Sequence, residues 1–336
     1  MDSLTQIVLG ASVGEAVLGK KVGNKAILWG AIAGTIPDLD VILRSFTDEI
    51  SATQMHRGFS HSIVFAVLIA PLLAWIAKKI HFKLKDVSFK DWTKLFFWTT
   101  VTHPLLDVHT TWGTQFFWPF KYRLAYQNIF VVDPFYTLPF LGFLIIAMSL
   151  KKENPRRSKF NNIGLSVSST YLILTLIFKW VSFQKFEEGL ENQEIEYVEM
   201  DTKPSPLNAI LWSSLIETDK GYRTAYYSLF DKQEITYSKE FLKNHHLLEA
   251  YLDQKVIKQL IDISAGWYRI EEKNGKLLFW DLRFGQMGMD VNNASFLWYY
   301  ELNIDETGNV KAVKRQPEIK NFKMVFKELF NRIKGN

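Results

Sequence analysis

Two apolar stretches decide the fold: SIVFAVLIAPLLAWIAKKI, residues 62–80, and IGLSVSSTYLILTLIFKWVSF, residues 163–183. An α-helix rises about 1.5 Å per residue, so roughly 20 apolar residues cross the hydrocarbon core of a bilayer. Both stretches have that length, and their few charged residues lie near their C-terminal ends. We therefore predict that both are transmembrane helices.

Four further segments extend the predicted bundle: 134–150, 95–108, 26–43 and 4–18. Segment 134–150 is slightly short, and 26–43 contains a proline near its end, which interrupts a helix because proline has no backbone N–H. Segment 4–18 is rich in Gly and Ala but carries a glutamate, so it could cross the membrane, re-enter it or lie at its interface. The predicted fold is a membrane all-α bundle of five or six transmembrane helices.

A change in composition near Phe183 marks a domain boundary. The mean hydropathy of −0.04 averages an apolar first half and a polar, charged second half. In the second half, alternating runs predict strands at 195–200, 222–229, 276–284 and 296–304, and longer periodic runs predict helices at 239–263 and 318–333. We predict a transmembrane domain over residues 1–185 and a soluble α+β domain over 186–336.

Lysine and arginine are distributed unevenly between the predicted loops. Segments 20–25, 78–94 and 151–162 hold fourteen of them, whereas 44–61 and 109–133 hold four. Because such residues accumulate on the cytoplasmic side of a membrane protein, the second group of loops is expected outside the cytoplasm. The same reasoning predicts a multi-pass inner-membrane protein whose α+β domain is also outside.

Composition excludes several classes of function. The chain has no cysteine, so disulfides, thiolate zinc sites and cysteine nucleophiles are ruled out, and any metal must bind nitrogen and oxygen ligands. The net charge of +5 is explained by basic membrane loops, so we expect no nucleic-acid partner. No basic residue precedes the apolar run at 7–17, and we therefore expect no cleaved secretory signal.

Histidine and aspartate side chains gather on the predicted outer face of the bundle. Ionisable groups at membrane depth are costly unless they are paired, solvated or bound to an ion, so they are candidates for function. The predicted metal ligands are Asp38, Asp40, His56, His61, His103 and Asp107. The topology was assigned from lysine and arginine alone, so the placement of these histidines and aspartates on one face is an independent test of it.

The first two motifs each have an alternative interpretation. Asp38 and Asp40 follow Pro37, which loosens a helix enough for both carboxylates to turn toward one cation, but an isolated pair of this kind is more often a helix cap. His56 and His61, separated by a glycine and followed by a predicted span, are typical of two ligands or of a ligand with a proton carrier.

The remaining motif is His103-Pro-Leu-Leu-Asp107, whose imidazole and carboxylate stand four residues apart on one helical face. This spacing suits one shared ion, although alone it would also suit a structural hydrogen bond. Arg57 is suited equally to clamping an anionic group such as phosphate and to anchoring the chain at the membrane interface.

These motifs recur in a known family. The relevant pieces are MDSLTQ (1–6) with Gly10, IPDLD (36–40), HRGFSHS (56–62), HPLLD (103–107) with Thr110, Thr111 and Gly113, and VDPFYTL (132–138). In order and spacing, over about residues 1–140, the chain resembles the YdjM-like proteins, a bacterial family of inner-membrane metal-dependent hydrolases. One position departs from that pattern: Gln6 stands where the family usually has histidine. An amide oxygen is a poorer transition-metal ligand, so either Gln6 supports a ligand or one metal position is weakened or empty.

The residues and the resemblance together suggest hydrolysis of an ester or phosphoester, with a lipid or cell-envelope precursor as the candidate substrate. The expected cofactor is a divalent metal ion, Zn, Mn or Mg. Asp38 is the candidate general base, Arg57 would oppose developing negative charge, and His61 completes the predicted catalytic set. Two alternatives are a non-enzymatic metal-binding membrane protein whose outer domain binds partners, and an ion or proton transporter.

Overall fold

The computed structural model describes residues 1–292, 295–318 and 321–336, with the backbone alone at 43 and 44. The chain divides into two compact units. The first comprises Met1–Phe46, Met55–Leu176 and Pro206–Asn208, and the second comprises Thr47–Gln54, Ile177–Ser205 and Ala209–Asn336.

The N-terminal part of the chain is helical. Its helices are α1 (Ser3–Val22), α2 (Asn24–Thr35), α3 (Glu49–Met55), α4 (Ile63–Ile80), α5 (Phe89–Asp107), α6 (Pro134–Ser149) and α7 (Pro155–Asn192). Among the described residues, α4 and α7 are long and apolar enough to cross a membrane, and α6 is a shorter apolar helix. A helical N-terminal part with two candidate apolar helices is thus confirmed, while a bundle of five or six spans stays a prediction.

Helix α2 ends at the position that the proline predicts. Thr35 is its last residue, and Pro37–Ser45 continue as a 3-10 helix. Proline cannot donate the next backbone hydrogen bond, so the α-helical ladder stops there. The change of helix type carries Asp38 and Asp40 out of the regular α-helical spacing.

Helices α1 and α2 are packed with their backbones in contact. Gly10 and Gly14 on α1 face Gly30 and Gly34 on α2. A Cβ atom at Gly34 would lie 2.9 Å from the carbonyl oxygen of Gln6, and a Cβ at Gly10 or Gly30 would meet the carbonyl oxygen of the other glycine even more closely. Small residues at this spacing are typical of helix pairs in membranes, where close backbone approach supplies the packing energy.

Two buried polar pairs join α1 to the first turns of α7. Arg157 donates to both carboxylate oxygens of Glu15 at 2.7 and 2.6 Å. About one turn before Glu15 on α1, Ser12 and Asn161 exchange hydrogen bonds of 2.7 and 3.0 Å. The glutamate that made segment 4–18 ambiguous is therefore paired rather than facing lipid, as a charge in an apolar bundle requires.

The second unit is built from two antiparallel four-stranded sheets. One sheet has the order β1 (Glu199–Pro204), β2 (Leu211–Glu217), β3 (Gly221–Ser228) and β4 (Phe241–Leu242), and the other has β5 (Tyr268–Lys273), β6 (Lys276–Gln286), β7 (Phe296–Ile304) and β8 (Val310–Arg315). Helices α8 (Lys255–Ile263) and α9 (Phe322–Ile333) complete it. Leu215 and Tyr222 of the first sheet pack against Trp280, Leu282 and Phe296 of the second.

Several predicted elements of this unit are wrong in extent. The helix predicted over 239–263 is interrupted, because Asn244 adopts a left-handed conformation (φ 52°) and only Lys255–Ile263 is α-helical. The strand predicted over 195–200 begins at Glu199, since α7 continues to Asn192 and Glu194 turns the chain with φ 52°. The predicted helix 318–333 is observed as Phe322–Ile333, and residues 319 and 320 lie outside the described residues.

Candidate metal centre

Four side chains from three separate segments converge in the first unit. Asp38 lies on the 3-10 helix that follows α2, His61 ends the short 3-10 helix Phe59–His61, and His103 and Asp107 lie one turn apart at the end of α5. His61, His103 and Asp107 are buried, and the side chain of Asp38 is 27% exposed. The site is therefore open to its surroundings on the side of Asp38.

The distances between the four donor atoms are those of a small tetrahedron. His61 Nε2 lies 3.2 Å from both His103 Nε2 and Asp38 Oδ1. His103 Nε2 lies 3.4 Å from Asp38 Oδ1, and Asp107 Oδ2 lies 3.5 Å from each histidine Nε2. Ligands placed tetrahedrally at about 2.0–2.2 Å from a metal ion are separated by about 3.3–3.6 Å. Of these five separations, three lie in that range and two are 0.1 Å below it, which is close to the spacing of ligands around a single ion.

Hydrogen bonds on the far side of each ring place lone pairs at this centre. The Nδ1 of His103 lies 2.5 Å from the carbonyl oxygen of Gly34, which can only accept. The Nδ1 of His61 lies 2.9 Å from Ser60 Oγ, which donates its own hydrogen to Asp40 Oδ2 at 2.9 Å. Both Nδ1 atoms therefore carry the hydrogen, and a neutral ring then presents an unprotonated Nε2.

Four lone pairs facing one another are repulsive unless a cation lies between them. Among the described residues, Oδ2 of Asp107 is buried without a hydrogen bond of good geometry, and its nearest cationic group is Nε of Arg57 at 3.2 Å. An unsatisfied buried carboxylate oxygen is costly, and a bound cation would satisfy it. The donor set of two imidazoles and two carboxylates suits a divalent metal, so the residues present fit the predicted cofactor.

Asp40 and His56, two of the six predicted ligands, lie behind the converging atoms. Asp40 accepts hydrogen bonds from the Nδ1 of His56 at 2.8 Å, from the backbone N–H of Arg57 at 3.0 Å and from Ser60. Its Oδ2 also lies 3.5 Å from His61 Nδ1. A carboxylate in this position fixes the orientation and tautomer of a metal-binding imidazole.

Arg57 reaches the centre from a strained backbone. Its φ of 57° is uncommon for a residue with a side chain, and its carbonyl oxygen accepts from the N–H of Gln115 at 3.0 Å. Its guanidinium donates to Thr110 Oγ1 at 2.8 Å, and Nε lies 3.2 Å from Asp107 Oδ2. The ion pair places a fixed positive charge beside the carboxylate of Asp107.

Gln6 contacts the ligand carboxylate directly. Its Nε2 donates to Asp107 Oδ1 at 2.9 Å and to the carbonyl oxygen of His103 at 3.3 Å, and the amino group of Met1 also binds Asp107 Oδ1. The Oε1 of Gln6 is buried without a partner in the described part of the chain. Gln6 therefore holds Asp107 in place through its amide.

His109 is not among the converging residues. Its Nδ1 lies 2.8 Å from Asn128 Oδ1, and Asn128 in turn donates to Thr175 on α7 at 2.7 Å. Burial lowers the pKa of His109, and the hydrogen bond to Asn128 only partly opposes that effect. Through Asn128, His109 is linked to α7, and its lowered pKa favours the neutral ring.

Sequence reasoning missed the partners that orient the donors. The carbonyl of Gly34 carries no sequence signal, because its role depends only on where α2 passes α5. Ser60 had a signal in its position between His56 and His61, and the hydroxyl that caps α4 belongs to Ser62, which accepts from the N–H of Phe65.

A comparison with protein families matches the part of the chain that contains the candidate metal centre. A family model described as YdjM inner membrane protein matches residues 1–186, which is more than half of the 336 residues. The chain belongs to the YdjM inner membrane protein family. The resemblance drawn from the motifs is thereby confirmed, and so is an inner-membrane protein family as its class.

A distant homologue is found among curated proteins. The inner membrane protein YbcI of Escherichia coli (strain K12) is 27% identical over 152 residues, which cover 43% of this chain and 86% of that protein. No solved structure matches the chain. The family match includes all four converging residues and ends before β1, so most of the second unit lies outside it.

Proposed function

We propose that this YdjM-family protein is a membrane-bound, metal-dependent hydrolase of an ester or phosphoester bond, with a lipid or cell-envelope precursor as its substrate. The observation that carries the proposal is the convergence of His61, His103, Asp38 and Asp107 at the separations of a metal's ligands. Arg57 beside this cluster supplies the positive charge that an anionic substrate or transition state requires.

The geometry favours zinc or manganese over magnesium. Magnesium prefers six oxygen ligands and retains several waters, whereas two of the four donors here are imidazoles. Zinc is commonly held by histidine and carboxylate at the separations observed. When bound, such an ion would lower the pKa of a water from about 15.7 toward about 7 and polarise the bond under attack.

Residues around the metal site have three further roles: accepting a proton, binding negative charge and orienting a ligand. Asp38 is the donor with a partly exposed side chain, so its carboxylate faces arriving substrate and is placed to accept a proton. Arg57, held by Thr110 and Asp107, binds developing negative charge on the substrate. Asp40 and Ser60 keep His61 in the tautomer that presents Nε2 to the centre.

A second candidate is a metal-binding protein without catalytic activity. It is favoured by the number of protein donors, because structural zinc sites have four protein ligands whereas catalytic ones leave a position open. Only the partial exposure of Asp38 argues for an accessible position. In this case the second unit would bind partners, and the metal would stabilise the bundle.

Metal analysis combined with turnover separates the two candidates. Purified protein is expected to hold a stoichiometric divalent metal and to hydrolyse members of an ester and phosphoester panel. His103→Ala should lose both, while His246→Ala, an exposed histidine in the second unit, should lose neither. Metal without turnover in wild type supports the second candidate, and unchanged metal content in His103→Ala removes both.

We also propose a multi-pass topology with the second unit outside the cytoplasm. It is supported by the fourteen basic residues in one set of loops against four in the other. Fusion of alkaline phosphatase after residue 336 should give active enzyme, and fusion of green fluorescent protein there should give no fluorescence. The reverse result would place the second unit inside.

A further inference from the structure

Helix α9 leaves half of its apolar face uncovered. Its inner side is held by Leu329, which packs with Leu211 and Tyr226, and by Arg332, whose guanidinium binds both oxygens of Asp231 at 2.6 Å. On its outer side, three phenylalanines are 60, 43 and 53% exposed, namely Phe322, Phe326 and Phe330. Three large apolar side chains of one short helix are thus left uncovered by the part of the chain that the structure describes.

The three phenylalanines form one ridge bordered by positive charge. At about 100° per residue, positions four apart advance by about 40°, so the ridge spans about 80° of the helix surface. Measured around the helix from Phe322, three exposed lysines lie at about 100–140°, on the side away from the core: Lys323, Lys327 and Lys334. Aromatic residues bordered by lysines are typical of helices that lie in a membrane interface, because the rings enter the headgroup region while the ammonium groups reach phosphate.

Contacts within the second unit place α9 close to the end of the apolar part of α7. Phe186 on α7 follows the predicted span 163–183 by three residues, and its ring lies 6.1 Å from that of Tyr227. The neighbouring residue, Tyr226, accepts from Arg332 on α9 through its carbonyl oxygen at 3.0 Å. The same strand, β3, therefore contacts both the C-terminal end of α9 and the part of α7 that is expected to leave the bilayer.

We propose that α9 binds the surface of the membrane in which the protein is anchored, with its phenylalanine ridge among the headgroups and its lysines on anionic phospholipids. The lysines are complementary to negatively charged lipid and are attracted to such a surface. The anchor through α7 makes this contact intramolecular, so a modest affinity is sufficient. This contact is independent of the proposed hydrolysis.

The absence of cysteine allows a direct test on the full chain. Phe326→Cys and Phe330→Cys introduce single labelling sites on the ridge, and Asn331→Cys gives a matched exposed site on the opposite side of the same helix. Each variant is labelled with an environment-sensitive fluorophore and reconstituted, one protein per nanodisc, with phosphatidylglycerol or with phosphatidylcholine alone. Lipids brominated near the headgroup serve as quenchers.

Ridge labels should be quenched at least about twofold more than the label at residue 331, and more strongly in phosphatidylglycerol than in phosphatidylcholine. The combined change Lys323→Gln, Lys327→Gln and Lys334→Gln should remove the preference for anionic lipid. Equal exposure of both sides to water would overturn the proposal. So would ridge labels that are shielded from water but not quenched by lipid, because protein would then cover the ridge.

Discussion

The Nε2 atoms of His61 and His103 lie 3.2 Å apart, although the hydrogen bonds of both rings leave these atoms unprotonated when the rings are neutral. Two lone pairs at that separation repel each other, and two carboxylate oxygens add negative charge to the same space. The arrangement is stable when a cation lies between the donors, so metal and fold are expected to be linked.

Metal removal should lower the stability of the folded protein. A ligand present at 100 times its dissociation constant stabilises the state that binds it by about 2.7 kcal/mol. The melting temperature in detergent should therefore fall after chelation and recover when zinc or manganese is restored. His103→Ala should show no response to chelation, whereas an unchanged wild-type melting temperature would contradict the linkage.

Asp40→Asn should weaken metal binding without abolishing it. Asp40 touches His61 and His56 rather than the centre, and loss of such a supporting carboxylate typically lowers metal affinity by about 10–100-fold. Competition with a chelating dye measures the change. Asp107→Asn is the comparison, and it should cause the larger loss. An equal loss in both variants would make Asp40 a direct ligand.

Gly30→Ala should destabilise the bundle. The added methyl group would meet the carbonyl oxygen of Gly10 on α1, and overpacking of this kind costs about 1–3 kcal/mol. Gly142→Ala on α6 is the matched control, because a Cβ there would meet no described atom within 4 Å beyond its chain neighbours and the backbone of its own helix. Thermal unfolding in detergent should show a lower midpoint for the first variant and an equal or higher one for the second. Equal midpoints would mean that α1 and α2 are not in close contact.

Glu15→Gln should be strongly destabilising, and Arg157→Met equally so. Each change leaves one buried charge without its partner, at a cost of about 3–5 kcal/mol. The double variant should recover most of that loss, because no unpaired charge remains. A double-mutant cycle on unfolding free energies measures the coupling, and simple additivity of the two losses would show that the pair does not interact.

Much of the helical half could be read from the sequence, because hydropathy and proline positions are local properties. The stretch at 62–80 became α4 (Ile63–Ile80), and the break near Pro37 appeared between Thr35 and the following 3-10 helix. In the second unit, strand β7 has the predicted bounds, Phe296–Ile304, but β2, β4, β5 and β8 were not predicted. Strand β2 buries consecutive residues and so lacks alternation, β4 has two residues, and β5 (YRIEEK) and β8 (VKAVKR) are short and carry several charges.

The sequence by itself determined which side chains were available to a metal: two carboxylates after Pro37, histidines before α4 and an imidazole one turn from a carboxylate on α5. Only the tertiary structure decided which of them meet. His61, His103, Asp38 and Asp107 converge, while Asp40 and His56 stand behind them. The reason is physical: the identity of a donor is encoded at its own position, but its distance to another donor depends on how α2, α5 and the segment before α4 pack.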